Sequence, residues 1–335
     1  MPLLLLLAVL ASSWSYAGGA PLIGILTQEW DANHTYMAAS YAKLVEMAGG
    51  QAVAIHHEAP LSHIRQLHRS LNGVILPGGN SGKNYSAALT LLVNLTLDAD
   101  PKDQVPLWGI CLGFEMLCQD VAQNATVRTA PWGSLLLPLP LKISASSRMF
   151  GGISPKMRQD MLGNNVTMHN HGAGVAPDLF RSNSRLRAAF DVTSTATGRT
   201  GHTFANVIEG KNGLQMYGTI WHPEMPAFEH EMPMIPHSEV AIRTSQWAAN
   251  FFVQQCREAN NRSFAPAGAN TTEAAAAEAA VVIAGDAAQL MDCRGEGSQI
   301  TECYYWNRLT TARSSRGWAH DVSPAGNAPH HQVYE

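Results

Sequence analysis

Short, nearly uninterrupted apolar runs recur through the first half of the chain and alternate with segments of helical periodicity. Apolar runs of this length, bounded by turn residues, are typical of strands buried on both faces of a parallel sheet. The intervening segments repeat apolar residues every three or four positions, which indicates helices packing one face against a sheet. The strands predicted in this way cover 22–26, 52–55, 73–76 and the run before Cys111, and the predicted helices cover 37–48, 62–69 and 87–97.

Repeated strand–helix units predict the α/β class, with a doubly wound, mainly parallel central sheet flanked by helices. Gly49 and Gly50 predict the end of the first helix, and Ser62 is the predicted N-cap of the second. Ligands of such sheets bind at the carboxyl ends of the strands. We therefore expect a site where 73–76 and the run before Cys111 end.

The second half of the chain is less regular. Turn residues and short β-like pieces fill 124–213, and they are followed by a predicted strand over 213–221 and a predicted helix over 240–258. The Ala-rich stretch 265–280 is interpreted as an excursion. The predicted organisation is a signal peptide at 1–19, a catalytic domain at 20–262, a C-terminal extension packing on it at 263–310, and a disordered tail at 311–335.

Charge and targeting signals narrow the setting. A net charge of −4 over 335 residues, without a basic stripe, excludes a nucleic-acid partner. The apolar run 3–10 is too short to span a bilayer and precedes a small-x-small site ending at Ala17, which is typical of a signal peptide. No later stretch reads as a membrane span. The secretory pathway is therefore predicted, ending outside the cell, in a lysosome or in a vacuole. Seven Asn-x-Ser/Thr sequons agree with this: they start at Asn33, Asn84, Asn94, Asn124, Asn165, Asn261 and Asn270.

The chain has five cysteines. If Cys111 is kept free, then Cys118, Cys256, Cys293 and Cys303 allow up to two disulfides, with three complete pairings. Cys118 alone also fits a buried thiol. Without a Cys-x-x-Cys pair or a ligand set of obvious spacing, we predict neither a metal nor a cofactor.

The segment 109–113, Gly-Ile-Cys-Leu-Gly, has the pattern of a nucleophile at a strand-to-helix corner. Glycines permit a tight turn, and the N-terminus of the following helix favours a thiolate at Cys111. The alternative is a buried structural cysteine. His222 follows the predicted strand 213–221 and would act as general base and then general acid, with Glu224 orienting its ring.

Further candidate residues surround this pair. Backbone N–H groups of Gly79 and Leu112 would form an oxyanion hole, with Gly78 as a close substrate contact, although a plain turn explains the two glycines equally well. Glu115 lies one helical turn after Cys111 and would bind a substrate cation; a first-turn acid favoured by the helix dipole is the alternative. His169 and His171 flank Asn170, and metal binding by them lacks a third ligand.

Several longer motifs resemble γ-glutamyl hydrolase, a family of the class I glutamine amidotransferase-like superfamily. The Cys-Leu-Gly-Phe-Glu element is the specific one, because G-x-C-x-G alone reaches only the superfamily. The similar segments are 21–26, 38–43, 72–79, 108–115, 147–150, 217–224, 228–229 and 250–253.

The resemblance implies an enzyme that hydrolyses γ-linked glutamate tails on folates and antifolates, which are small-molecule substrates. It further implies that the enzyme uses no cofactor and forms a homodimer. It implies Cys111 as nucleophile, His222 as catalytic histidine and Glu224 as third member of a triad. It also implies Glu115 as the group that holds the substrate's glutamate amine, and His171 as a second site histidine, with His169 as the alternative. The family's aromatic residues after that histidine are replaced here by Gly-Ala-Gly at 172–174.

Two other functions compete with this one. A glutaminase would use the same thiol chemistry but pass ammonia to a synthetase, which the chain does not contain. A catalytically silent binding protein on the same scaffold would have no need of both Cys111 and His222.

Overall fold

A seven-stranded central sheet organises the computed structural model, which describes residues 20–79, 82–259, 289–292 and 300–307. The strands are β1 (Leu22–Leu26), β2 (Gln28–Glu29), β3 (His34–Ala38), β4 (Gln51–Ile55), β5 (Gly73–Leu76), β6 (Leu107–Ile110), β7 (Arg128–Thr129), β8 (Ser134–Leu139), β9 (Thr167–His171), β10 (Gly174–Val175), β11 (Phe190–Thr197), β12 (Thr203–Gly210), β13 (Met216–Thr219), β14 (Gln289–Asp292) and β15 (Glu302–Asn307). The helices are α1 (Ala39–Met47), α2 (Leu61–His68), α3 (Lys83–Leu97), α4 (Leu112–Ala122), α5 (Pro155–Gly163), α6 (Leu179–Ser182), α7 (Ser184–Ala189), α8 (Met225–Phe228) and α9 (Glu239–Ala259). Short 3₁₀ turns cover Pro101–Asp103 and Ala125–Val127.

The strand order in the central sheet is β11-β12-β13-β6-β5-β1-β4. The five strands from β13 to β4 pair in parallel, whereas β12 and β11 add to β13 in antiparallel fashion. This confirms the predicted α/β class with a mainly parallel sheet. The carboxyl ends of β5, β6 and β13 consequently meet at one edge of the sheet.

Alternate residues of the parallel strands feed two apolar layers, one on each face of the sheet. On β1, Ile23 and Ile25 belong to one buried cluster and Leu22 and Leu26 to the other. Successive side chains of a strand point to opposite faces, so a continuous apolar run is what a strand covered on both faces requires.

Element boundaries differ from prediction at several points. The first helix begins at Ala39 rather than at residue 37, because Met37 and Ala38 belong to β3, which the sequence pattern did not reveal. Ser62 is not an N-cap: α2 begins at Leu61 after Pro60, which supplies the fixed backbone angle of a helix start. The third helix starts at Lys83, earlier than predicted, while α9 matches its predicted span.

The stretch 124–213 is more ordered than expected. Its last two strands, β11 and β12, form an antiparallel hairpin at one edge of the central sheet. Nearer the site, β8 pairs with β9 and β7 pairs with β10. Strand β11 mixes polar and apolar residues because an edge strand is partly solvated, so its composition does not stand out as a strand.

Strand β15 pairs with β3 in a separate four-stranded sheet of order β14-β15-β3-β2. Cys303 in β15 is disulfide-bonded, whereas Cys111, Cys118 and Cys256 carry free thiols, so the four non-nucleophilic cysteines form at most one disulfide. Cys293, the signal peptide, the stretch 265–280 and the tail after residue 311 lie outside the described residues. The domain boundaries therefore stay predictions. Among the described helices, none is both long and apolar enough to cross a membrane.

Candidate active site

Cys111 stands at the corner between β6 and α4. Its backbone has φ 50° and ψ −110°, a region that non-glycine residues rarely occupy and that costs about 1–3 kcal/mol unless the surroundings enforce it. Two hydrogen bonds enforce it here. The Cys111 N–H donates to the Thr219 carbonyl at 2.9 Å, and the Glu115 N–H donates to the Cys111 carbonyl at 3.0 Å. The corner therefore ties the nucleophile candidate to β13 and to the first turn of α4.

Glycines on both sides make this corner possible. A Cβ atom on Gly113 would lie 2.0 Å from the Leu76 carbonyl oxygen, and one on Gly109 would lie 2.7 Å from the Gly113 carbonyl oxygen. Backbone atoms cannot move aside cheaply, so only glycine allows α4 to start this close to β5. The G-x-C-x-G pattern is thus explained by packing of the backbone.

His222 follows β13 and is held from both sides. The backbone N–H of His222 donates to the Met168 carbonyl at 2.9 Å, which connects the residue to β9. Its ring Nδ1–H donates to Glu224 Oε1 at 2.6 Å, and both side chains are buried. This hydrogen bond fixes the ring orientation and leaves Nε2 without a hydrogen-bond partner among the described residues. Nε2 is therefore the nitrogen available for proton transfer.

The electrostatic environment favours a charged His222. Burial lowers its pKa, but the negative charges of Glu224 and Cys111 more than compensate, so the pKa lies well above its ordinary value of 6.5. An imidazole with a raised pKa holds a proton at neutral pH and can donate it. The pair of His222 and Glu224 has the electrostatics of a general acid and its orienting carboxylate.

Gly78 and Gly79 follow β5 and border the same space. A Cβ atom on Gly78 would lie 2.8 Å from His222 Cε1 and 2.9 Å from Cys111 Cβ. The Gly78 N–H is already used, because it donates to the hydroxyl of Tyr41 at 2.9 Å. Gly79 has φ +128°, and Leu112 is the first residue of α4, where a helix offers its N–H no internal acceptor.

Tyr41 lies beneath this region and is buried. Burial and the nearby negative charges of Glu224 and Cys111 raise its pKa, so the side chain stays a neutral hydroxyl. Tyr41 was not singled out in the sequence, where it falls within the helix predicted over 37–48. Its polar contact with the loop after β5 gave no signal in the sequence, since the two segments are far apart along the chain.

Two further buried histidines, His169 and His171, belong to β9. The His171 Nδ1–H donates to the Ala173 carbonyl at 2.6 Å, and the His169 Nδ1–H donates to His171 Nε2 at 3.1 Å. Thr167 continues the chain, with its hydroxyl 3.1 Å from His169 Nε2 and 2.9 Å from the Leu139 carbonyl oxygen. Only His171 of the two histidines lines the cleft.

The hydrogen-bonded series of Thr167, His169 and His171 ends on a carbonyl oxygen at each side, and a carbonyl oxygen only accepts hydrogen bonds. Two neutral imidazoles and one hydroxyl supply three hydrogens for the four contacts. A fourth hydrogen would require a charged ring, which burial opposes. Burial, together with the charge of His222, lowers the pKa of His171 to about 4, although the bond to Ala173 opposes this, and burial puts the pKa of His169 well below 6.5.

Glu115 is buried and paired. Its Oε2 accepts a hydrogen bond from Arg128 Nε, and the Arg128 side chain is 42% exposed whereas that of Glu115 is 2% exposed. Burial raises the pKa of Glu115, although the Arg128 charge acts in the opposite direction. Arg128 was not singled out in the sequence, because it lies in an irregular stretch and its acidic partner is on another element.

One cleft of about 710 Å³ unites these residues. Its volume is in the range of small-molecule sites. All the predicted site residues line it, namely Gly78, Gly79, Cys111, Leu112, Glu115, His171, His222 and Glu224. Across the described ranges, no group of three or more His, Cys, Asp or Glu side chains is arranged to hold a metal ion.

Comparisons with known proteins point to one family. The model of the Peptidase C26 family matches residues 21–127, which include Cys111 and Glu115 but end before His222. Gamma-glutamyl hydrolase of Rattus norvegicus is 34% identical over 268 residues, covering 75% of this chain and 84% of that protein. Gamma-glutamyl hydrolase B of Dictyostelium discoideum is 32% identical over 257 residues, covering 72% and 74%. Probable gamma-glutamyl hydrolase 3 of Arabidopsis thaliana is 30% identical over 264 residues, with the same coverage.

Proposed function

The chain belongs to the γ-glutamyl hydrolase family of cysteine peptidases, and we propose that it cleaves poly-γ-glutamylated folates and antifolates through a γ-glutamyl thioester on Cys111. Hydrolysis of γ-glutamyl bonds is the activity of the family. The observation that carries the mechanism is the arrangement of Cys111, His222 and Glu224 around Gly78 at adjoining strand ends. A catalytically silent protein would not need that arrangement.

In the proposed first step, Cys111 is a thiolate paired with the protonated His222, and its Sγ attacks the γ-carbonyl carbon of the substrate. The carbonyl oxygen becomes an oxyanion, which the backbone N–H groups of Gly79 and Leu112 stabilise. The C–N bond then breaks as His222 Nε2 donates its proton to the leaving glutamate nitrogen. The products of this step are a thioester on Cys111 and a free amine.

In the second step, water adds to the thioester carbonyl and gives a proton to His222. Collapse of the tetrahedral intermediate releases the γ-carboxylate and restores the Cys111–His222 pair. Glu224 supports both steps by stabilising the protonated imidazole, which its carboxylate already favours in the resting enzyme. His171 would act as a neutral group on the cleft wall, because burial lowers its pKa and that of its partner His169 behind it.

Chromatographic analysis of products from a defined pentaglutamate folate tests the proposal. The wild-type protein should release γ-linked glutamates, and Cys111→Ala should lower the rate at least about 1,000-fold while retaining substrate binding. Cys118→Ala is the matched control, because it removes a free thiol from the same helix. Turnover by Cys111→Ala would contradict the thioester, and release of ammonia from free glutamine as the faster reaction would favour a glutaminase.

We also propose that the protein enters the secretory pathway and reaches an extracellular, lysosomal or vacuolar location. The five sequon asparagines within the described residues are all exposed, which supports glycosylation: Asn33, Asn84, Asn94, Asn124 and Asn165. Homodimer formation stays a prediction from the family resemblance.

A further inference from the structure

Arg128 is the one lysine or arginine among the residues that line the cleft within the described part of the chain. Three carboxyl groups line the same cleft, those of Glu115, Glu224 and Glu229. An anionic substrate entering between them would meet like charges, which disfavour binding. The guanidinium of Arg128 is therefore the natural contact for a substrate anion.

The chemistry of a γ-linked glutamate chain defines that anion. Each internal residue has its α-nitrogen acylated by the γ-carboxyl group of the preceding residue, so the nitrogen is an amide N–H and not an ammonium. Its γ-carboxyl group is also consumed by the next amide bond. Only the α-carboxylate stays ionised, so a cleft that recognises such a residue needs a cation for it more than an anion.

We propose that Arg128 is a specificity-determining residue that binds the free α-carboxylate of the γ-glutamyl residue under attack, and that Glu115 is a positioning residue that holds its guanidinium. This inference rests on the proposed function, since it assumes the γ-carbonyl group at Cys111. It assigns Glu115 a different main partner from the substrate amine expected from the sequence.

Distances support this placement. Four covalent bonds separate the γ-carbonyl carbon of a glutamyl residue from its α-carboxylate carbon, which limits their separation to about 5 Å. Glu115 lies in the first turn of α4, where its N–H donates to the Cys111 carbonyl at 3.0 Å, and Cys111, Glu115 and Arg128 line the same cleft. An α-carboxylate within about 5 Å of the attacked carbon can therefore lie on the side of the cleft that Glu115 and Arg128 form.

Arg128 is also organised for this contact. Its backbone is in β7, which pairs with β10, and the preceding Val127 is buried. Its Nε–H is bonded to Glu115, which leaves the Nη groups, with four N–H donors, at the exposed end of the side chain. A guanidinium fixed at one edge and open at the other can form two parallel hydrogen bonds with a carboxylate.

The test compares two substrates on each variant. One is a pteroyl γ-linked diglutamate, and the other carries a carboxamide in place of the α-carboxylate of the residue that donates the acyl group. We expect the wild-type kcat/KM to favour the carboxylate by about 10- to 100-fold, the range for hydrogen bonds to charged groups. Arg128→Gln should reduce this preference to within about 3-fold, mainly by raising KM for the carboxylate substrate.

Two further variants separate recognition from a structural role. Arg128→Gln leaves Glu115 without its buried partner, so the double variant Glu115→Gln/Arg128→Gln, which leaves no unpaired charge, should show the same lost preference. Arg243→Gln removes an exposed arginine that also pairs with a glutamate, Glu239 on α9, and should keep the wild-type preference.

Different results would overturn the role of Arg128 and the proposed hydrolase function. A wild-type preference retained in both Arg128 variants, or an equal loss of rate on both substrates, would overturn the role of Arg128. If the wild-type protein cleaved neither substrate, or if Cys111→Ala cleaved them, the proposed function itself would fail.

Discussion

Replacing His171 with asparagine tests whether the buried histidine chain on β9 makes the fold sensitive to acid. In the folded protein the pKa of His171 is about 4, because burial and the nearby His222 charge outweigh the hydrogen bond to Ala173, whereas an unfolded chain has an ordinary value of 6.5. The folded pKa is depressed, so the unfolded state binds one more proton between these two values. Stability is therefore complete above pH 6.5 and is lost as the pH falls toward 4.

The size of the loss follows from the difference between the two pKa values. A shift from 6.5 to about 4 corresponds to about 3 kcal/mol of unfolding free energy lost by pH 4 through His171 alone. Asparagine places an amide N–H near the position of the imidazole Nδ1–H and can keep the bond to the Ala173 carbonyl. His171→Asn removes the titrating group without leaving that carbonyl unpaired.

Urea denaturation at pH 6.5 and pH 4 measures the effect. The free energy lost between the two pH values should be about 3 kcal/mol smaller in His171→Asn than in the wild type, whatever the variant costs at neutral pH. His63→Asn is the control: it removes a solvent-exposed imidazole and should follow the wild type. A difference below about 1 kcal/mol between His171→Asn and wild type would refute the argument.

Two further predictions concern the Cys111–His222–Glu224 group and Gly78, which lies against it. Glu224→Gln removes the charge that raises the pKa of His222, so the basic limb of the pH profile of kcat/KM should move to lower pH. Glu239→Gln, at an exposed glutamate, is the control and should leave the limb in place. An unmoved limb in Glu224→Gln would contradict the proposed pairing. Gly78→Ala places a methyl group 2.8 Å from His222 Cε1 and 2.9 Å from Cys111 Cβ, so kcat/KM should fall at least about 100-fold with an unchanged circular dichroism spectrum. Gly163→Ala, where the methyl group meets open space, is the control, and wild-type activity of Gly78→Ala would rule out the close contact.

The parallel sheet could be predicted from the sequence because most of its strands carry a short apolar run, as Leu22–Leu26 and Gly73–Leu76 do. The strand ends could be predicted for the same reason, and with them the positions of Gly78, Cys111 and His222. Strand β11 could not, because it alternates polar and apolar residues at a partly solvated edge. Strand β3 was missed because its apolar residues continue directly into α1, so the period changes within one unbroken run.

Contacts within the candidate site could be predicted where the partners are close in sequence and were missed where they are far apart. The bond from His222 to Glu224 joins residues two positions apart, and the turn at Cys111 depends on its neighbours. The bond from Arg128 to Glu115 joins β7 to α4 across an irregular stretch. No sequence periodicity links these two elements, so the contact between Arg128 and Glu115 could be identified only from the structure.

The three buried histidines of the site show why burial alone does not identify a catalytic base. His169, His171 and His222 are all at most 5% exposed, and burial lowers the pKa of each. Only His222 has a carboxylate against its ring, and only its pKa rises. Because His171 bonds to a carbonyl oxygen and to another imidazole, charging it gains too little to offset burial. Of these three histidines, His222 is therefore the one suited to supply a proton to a leaving amine, whereas His171 lines the cleft as a neutral ring.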